Sequence, residues 1–156
     1  MVTRVRLQHF RSYKDAAFEL GSGVNIIVGP NASGKTNLLE AILVLARGAS
    51  YRAADADLVA FGADWARLDA QMHDETKRLV KLQMSGPEKA EKTFEIDDQV
   101  QKRLSQQKML PVVLFEPNDL RLVNGEPGIR RDFLDDLAEQ LKAGYGDTRR
   151  RYRRAR

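Results

Sequence analysis

One stretch of the sequence has both the residue types and the spacing needed to hold phosphate groups. Residues 29–36 read GPNASGKT, which fits the pattern G-x-x-x-x-G-K-[ST]. Gly29 and Gly34 permit a tight turn in which backbone N–H groups and the start of the next helix form a cradle for anions. Lys35 adds a positive charge that reaches the β- and γ-phosphates, and Thr36 offers a hydroxyl to Mg²⁺. The motif therefore predicts a nucleotide site.

The residues on either side of this loop predict the strand and the helix that must position it. Residues 24–28, VNIIV, form a short β-branched run that is typical of a buried central strand. Residues 35–47 are good helix formers with apolar side chains around most of the circumference, so this helix should be largely buried. Gly48 is a typical helix stop. A phosphate loop joins a strand to a helix in this way, and the alternative is a glycine-containing loop with an exposed lysine.

The remaining sequence predicts an alternation of strands, turns and helices. Residues 2–7 and 16–20 should form an antiparallel pair joined by a turn at 12–15. Further strands are predicted at 65–72, 77–84, 92–96 and 111–115, and helices at 55–61, 100–108 and 127–142.

Composition excludes several classes of site. The chain has 156 residues and no cysteine, which excludes a disulfide framework and a thiolate metal site. Its two histidines make a histidine-built metal centre a poor interpretation. No apolar run approaches the ~20 residues of a membrane span, and the N-terminus carries charge where a signal peptide needs an apolar core. We expect a cytoplasmic protein.

The positive charge of the chain is confined to its C-terminal end. The net charge is +4, but residues 149–156, RRRYRRAR, hold six arginines. The rest of the chain carries 20 basic and 22 acidic residues, a net charge of −2. This arginine-rich tail has three interpretations: it follows a DNA backbone, it is the flank of a helix that pairs with acidic residues beyond residue 156, or it is a solvated helix face.

Residues for nucleotide hydrolysis are harder to find. A hydrolase needs an acidic residue at the end of an apolar strand to hold Mg²⁺ and position water. Glu116 follows the apolar residues 112–115, but Asp is usual there and Pro117 comes next, so a plain strand end is the favoured interpretation. The pair Ser85-Gly86 partly matches the Ser-Gly-Gly signature of ABC-type ATPases. It lacks the second glycine and indicates a turn.

Three stretches of the sequence resemble the RecF family, and more broadly the SMC-like ABC ATPases. The first is FRSY at residues 10–13, between two predicted strands ahead of the phosphate loop. The second is SYR at 50–52, shortly after the first helix. The third is VVLFEPNDLRLVNGEPGIRRDFLDD at 112–136, which matches a family segment Phe-x-Pro-x-Asp-Leu followed by Gly-x-Pro-x-x-Arg-Arg-x-Phe-Leu-Asp. The resemblance therefore runs along nearly the whole chain.

The resemblance implies an α/β fold: a P-loop NTPase of the ABC/SMC-like ATPase head type, with an N-terminal antiparallel β-meander and the start of a helical second domain. Residues 1–116 would form the ATP-binding lobe and residues 117–156 would begin the helical domain. In the family, the ABC signature and the acidic residues of Walker B lie in a C-terminal part. The chain thus resembles an N-terminal portion, and no catalytic residue is expected in it.

The resemblance also implies a function in recombinational DNA repair and replication. RecF-like proteins are weak DNA-dependent ATPases that bind DNA, dimerise around two ATP molecules and help to load RecA at gapped DNA with RecR. For this chain we expect weak ATP and Mg²⁺ binding without ATP-driven dimerisation or hydrolysis. The implied ATP contacts are Gly29, Pro30, Asn31, Ala32, Ser33, Gly34, Lys35 and Thr36, with Arg11 as a further candidate and Thr36 as the Mg²⁺ ligand. The candidate DNA contacts are Arg4, Arg6, Lys14, Arg47 and Arg52.

Several interpretations stay open. Arg11 contacts nucleotide or DNA, or is an ordinary surface arginine. Arg130 and Arg131 lie near the start of a predicted helix, where cations are mildly unfavourable. They either form ion pairs with nearby aspartates or contact a phosphate or a partner. The alternative function class is a small-molecule kinase, which would use the tail as a lid and Glu116 as its strand-end acid.

Overall fold

A six-stranded antiparallel sheet supports the phosphate loop. The computed structural model describes residues 1–142 and 144–155, and the chain divides into two compact units, Met1–Leu104 and Ser105–Arg156. The sheet lies in the first unit and its strands are in the order β2-β1-β3-β4-β5-β6. The strands are β1 (Val2–Phe10), β2 (Tyr13–Glu19), β3 (Trp65–Met72), β4 (Lys77–Gly86), β5 (Lys89–Ile96) and β6 (Gln99–Gln101).

Alternation of apolar and polar residues gives the sheet one buried face. Along β3, Ala66, Leu68 and Ala70 are buried, whereas Arg67 between them is exposed. Successive side chains of a strand point to opposite faces, so this pattern sends every second residue into the core. Paired strands continue the pattern, because Leu68 lies opposite Leu7 of β1.

The buried face is covered by helix α1 (Lys35–Arg47), which packs against β1, β3 and β4. Leu38, Val44 and Leu45 of this helix are at most 2% exposed. The helix ends at Gly48, which has a φ of 82° and donates its N–H to the Val44 carbonyl at 2.8 Å. Glycine adopts this left-handed conformation without strain, which makes it the usual residue at a helix end.

The buried strand predicted at residues 24–28 is wrong, because these residues form no strand and are not buried. Val24, Ile26 and Val28 expose 92%, 81% and 82% of their surface, and Ile27 alone of the four apolar residues packs against the core. A strand exists by hydrogen bonding to a neighbour, and within the described residues no segment pairs with this one. The apolar run is therefore an exposed, unpaired segment that precedes the phosphate loop.

The predicted strand at residues 111–115 is wrong for the same reason. Val113 and Phe115 are exposed and the segment forms no ladder within the described chain. Its Val112 N–H instead donates to the Gln140 side-chain oxygen at 3.0 Å. β-branched composition identified a segment suited to pairing, but pairing depends on a partner strand.

The polar helix predicted at residues 100–108 is also wrong. That range holds β6 and a 3₁₀ turn at Gln106–Lys108. The hairpin between β5 and β6 turns at Asp97 and Asp98, whose φ angles are 48° and 62°. Two successive left-handed residues match a tight hairpin turn, which aspartate tolerates better than most residues. The helix predicted at 55–61 is a 3₁₀ turn at Ala56–Leu58.

The second unit is helical and is held by ion pairs. It contains a 3₁₀ turn at Pro117–Leu120 and helices α2 (Arg121–Asn124), α3 (Pro127–Leu141) and α4 (Tyr145–Ala155). Arg149 of the arginine-rich tail lies within 3.2 Å of carboxylate oxygens of Asp132, Asp135 and Asp136 on α3. Part of the tail thus pairs with acidic residues within the chain, and Arg156 lies outside the described residues.

Arg130 has a structural contact of a kind that the sequence analysis did not consider. Its Nη1 donates to the carbonyl oxygens of Leu122 and Gly125, at the end of α2, at 3.3 and 3.0 Å. Carbonyls at a helix C-terminus lack intrahelical donors, so a guanidinium there completes their hydrogen bonding. No ion pair between Arg130 and the α3 aspartates is found among the described residues.

The exposure of residue 26 predicts a clear contrast in stability. Ile26→Lys should change the free energy of unfolding by no more than about 0.5 kcal/mol, because the side chain is already in water. Leu7→Ala should cost about 2–5 kcal/mol, because Leu7 is fully buried and its truncation leaves a cavity. Urea denaturation of both variants measures this contrast. Equal destabilisation would show that residues 24–28 are packed.

Candidate nucleotide-binding site

The phosphate loop packs against the turn between β1 and β2. Gly34 is the N-cap of α1 and has a φ of 94°. A Cβ at this position would lie 2.9 Å from Ser12 Oγ and 3.0 Å from Tyr13 Oη, and Tyr13 Oη donates to the Gly34 carbonyl at 3.1 Å. Both the backbone conformation and the close contact therefore require glycine here. Ala32, with a φ of 63°, gives the loop a second left-handed residue.

Lys35 and Thr36 form the start of α1 directly after this loop. The Lys35 ammonium donates to the carbonyl oxygens of Gly29 and Pro30 at 2.8 and 2.6 Å, which holds the charge over the loop. Thr36 is exposed. The first N–H groups of a helix have no intrahelical acceptor and carry the positive end of the helix dipole. With no acidic residue in the first turn of α1, the arrangement attracts anions.

A buried carboxylate lies one turn further along α1. Arg11 donates from Nε and Nη2 to the two oxygens of Glu40, both at 3.0 Å, and Arg52 Nη2 donates to Oε2 at 2.9 Å. Ser50 Oγ donates to Oε1 at 2.6 Å. Burial raises the pKa of Glu40, but the hydrogen bonds from Arg52, Arg11 and Ser50 outweigh it and bring the pKa from 4.5 to about 2.

Glu40 was missed by the sequence analysis, although a signal was available. An acidic residue within a largely buried helix needs cationic partners. Those partners are the arginines of FRSY and SYR, two of the three motifs that carry the family resemblance. The spacing along the chain gave no indication that these motifs meet at one carboxylate.

Arg11 and Arg52 also line a cavity of about 950 Å³. Its wall includes Ser12 and Asn37, where Asn37 Nδ2 donates to Ser12 Oγ at 3.0 Å. The lining also includes Phe61, which is fully exposed. Because Ser12 also lies against Gly34, the cavity begins beside the phosphate loop. The lining also includes the carboxylate of Asp57, so it is Arg11 and Arg52 that would attract an anionic ligand, with Phe61 as an apolar surface beside them.

The structure spreads the candidate DNA residues over the first unit. Arg4 pairs with Glu19 at 3.1 Å, Arg6 with Asp15 at 2.7 Å, and Arg52 with Glu40. Lys14 is exposed on β2 and Arg47 is half-buried in the last turn of α1. Three of the five positive charges thus have a carboxylate partner, and their assignment to DNA stays a prediction.

The remaining candidates, Glu116 and the pair Ser85-Gly86, take part in local turns. Glu116 precedes a 3₁₀ turn and donates its N–H to Asp119 Oδ2 at 2.6 Å. Ser85 and Gly86 end β4, and Ser85 Oγ donates to the Lys89 carbonyl across the hairpin at 3.3 Å. Within the described residues, no group of three or more His, Asp or Glu side chains is arranged to hold a metal ion. Nor is any helix in that part of the chain long and apolar enough to cross a membrane.

Comparison with known proteins defines the family. Residues 4–116 match the sequence profile of the family described as "AAA domain". The chain belongs to the AAA-domain family. It is also similar to DNA replication and repair protein RecF of Acidothermus cellulolyticus, at 38% identity over 99% of the chain and 42% of that relative. With RecF of Desulforamulus reducens it shares 40% identity over 97% of the chain and 40% of the relative.

Solved structures agree with this similarity. The recombination mediator protein described as "RecF-ATPrS in RecFOR pathway" superposes with a TM-score of 0.81 at 25% identity, covering 99% of the chain and 42% of that structure. The corresponding "RecF-ATP" structure gives 0.74 at 26% identity, covering 99% and 43%. The resemblance to RecF and the fold of a P-loop NTPase head lobe are confirmed. The chain spans about two-fifths of the length of these relatives.

Glu40 should make the protein sensitive to acid. The pKa of Glu40 in the folded protein, about 2, lies below the ordinary 4.5. The ionised carboxylate therefore stabilises the fold fully above pH 4.5, and this stabilisation is lost as the pH falls towards 2. The shift corresponds to about 3 kcal/mol. Because Glu40→Gln does not titrate, the stability difference between wild type and this variant should shrink by that amount between about pH 5 and about pH 2 in urea denaturation. A constant difference would contradict the ion-pair assignment.

Proposed function

We propose that this chain is an ATP-binding module of DNA repair and replication that acts as RecF proteins do. The observation that supports the proposal best is the loop at residues 29–36, which opens α1 and carries Lys35 over its carbonyls. Similarity to RecF structures described with ATP supports adenosine triphosphate as the nucleotide. It also favours this function class over a small-molecule kinase. We propose a cytoplasmic location.

The geometry suggests how the loop holds a nucleotide. The N–H groups of the loop and of the first turn of α1 would bind the β- and γ-phosphate oxygens, and Lys35 would neutralise part of their charge. Thr36, exposed at the mouth of the loop, would offer its hydroxyl to Mg²⁺. Thr36 is the residue of this chain that would hold Mg²⁺, and the metal would supply positive charge to offset that of the phosphates. Arg11 would contact the nucleotide from the cavity beside Ser12.

We also propose the wider organisation that the RecF resemblance implies. Residues 1–116 would form the ATP-binding lobe and residues 117–156 the start of a helical domain. No residue of this chain is assigned a role in cleaving ATP, so we expect binding without hydrolysis by this chain alone. The partners would be DNA and a RecR-like protein. An ATP-dependent homodimer is expected for RecF proteins and not for this chain by itself.

The phosphate loop predicts that ATP binding depends on Lys35. Lys35→Ala should lower the affinity for a fluorescent ATP analogue in the presence of Mg²⁺ by about 10-fold or more, because the ammonium-to-phosphate attraction is lost. Lys81→Ala removes an exposed lysine of β4 and is the matched control, which should bind as wild type does. Equal affinities of the two variants would contradict the assignment of residues 29–36 as the phosphate site.

DNA binding should be electrostatic and weakly selective for sequence. If Arg4, Arg6 and Lys14 contact the phosphate backbone, retention of DNA in a filter-binding assay should fall steeply as salt rises, because bound counterions are released. Replacing the three residues by alanine should reduce the slope of log affinity against log salt by about 3 for duplex DNA. An unchanged slope would place any DNA contact elsewhere on the chain.

A further inference from the structure

The Glu40 cluster joins three separate segments of the first unit. Its carboxylate is fully buried and accepts four hydrogen bonds, from Arg11, Ser50 and Arg52. Arg11 belongs to the turn after β1, Ser50 and Arg52 to the loop after α1, and Glu40 to α1 itself. Glu40 does not line the cavity, whereas both arginines do.

Contacts from this cluster continue to the phosphate loop. Arg52 Nη2 also donates to Asn37 Oδ1 at 2.9 Å, and Asn37 donates to Ser12 Oγ. Ser12 Oγ in turn lies 2.9 Å from the Cβ position of Gly34. Two side chains, those of Asn37 and Ser12, thus lie between Arg52 and the phosphate loop.

The charges of the Glu40 cluster indicate which kind of ligand it could bind. Two guanidinium groups side by side repel each other, and a carboxylate between them removes that repulsion while leaving one net positive charge. A buried ion pair adds little net stability compared with apolar packing of the same volume. Stability alone thus gives weak grounds for a carboxylate at a position flanked on the helix by the buried residues Leu38, Ala41 and Val44.

We propose that Glu40 is a positioning residue, which fixes Arg11 and Arg52 on the cavity wall as a paired subsite for a phosphate group. This proposal rests on the proposed function, because the cavity begins beside the ATP loop. The phosphate has two sources, the nucleotide at residues 29–36 or the backbone of bound DNA. Bidentate hydrogen bonding fixes the Arg11 guanidinium in one plane, which is the condition for recognising a phosphate by geometry as well as by charge.

The test compares Glu40→Gln with Glu91→Gln, which alters an exposed glutamate of β5. Thermal unfolding first establishes the temperature at which both variants are folded. The affinities for a fluorescent ATP analogue and for an oligonucleotide duplex are then measured at that temperature. We expect Glu40→Gln to lose about 10-fold in affinity for one of the two probes, and the affected probe identifies the source of the phosphate. Glu91→Gln should change neither affinity.

A double-mutant cycle separates positioning from a purely structural role. If Glu40 acts through the arginines, Glu40→Gln should have no further effect on affinity in a chain that carries Arg11→Ala and Arg52→Ala. Lower thermal stability of Glu40→Gln with both affinities unchanged overturns the proposal. Full additivity in the cycle overturns it as well.

If Glu40→Gln does not fold, Arg11→Lys serves instead, because it keeps the charge but cannot make both hydrogen bonds to Glu40. Unchanged affinity of that variant for both probes overturns the proposal. If wild type binds DNA but no ATP, the nucleotide function fails by itself and the DNA measurement decides the role of Glu40. Binding of neither probe by wild type overturns both.

Discussion

The hydrogen bonding of one buried carboxylate connects the elements on which the candidate site depends. Glu40 lies on the helix that follows the phosphate loop. Of the two arginines that neutralise it, Arg11 precedes the loop in the sequence and Arg52 follows the helix. Removing a carboxylate from water is costly unless each oxygen is satisfied by donors. The folded positions of the β1–β2 turn and of the loop after α1 meet that requirement. The ion-pair cluster and the phosphate loop are therefore parts of one arrangement.

Close packing at Gly34 adds a second constraint on the position of the phosphate loop. The glycine permits the left-handed turn that begins α1, and its lack of a side chain lets Ser12 and Tyr13 approach the loop. The same β1–β2 turn also carries Arg11. Ser12 of the turn and Tyr13 at the start of β2 thus contact the phosphate loop, and Arg11 contacts the buried carboxylate. N–H groups that are already held in place bind an anion at a lower entropic cost than the N–H groups of a mobile loop.

Local patterns in the sequence predicted some features well and others poorly. The strand predicted at residues 65–72 matches β3 at both ends, and the helix predicted at residues 35–47 after the phosphate motif matches α1. Residues 24–28 and 111–115 were predicted as strands because their composition suits pairing, yet a strand also depends on a partner that composition does not specify. Glu40 was missed for a related reason, since its meaning depends on residues 29 and 12 positions away in sequence.

Amide chemical shifts measured during titration with ATP and Mg²⁺ would show whether nucleotide phosphates bind at residues 29–36. N–H groups that donate to phosphate oxygens change their shielding strongly. We expect the largest changes at Gly34, Lys35 and Thr36, with smaller changes at Ser12 and Tyr13, which contact the loop. Changes confined to the arginine-rich helix α4, with the loop amides unaffected, would contradict this expectation.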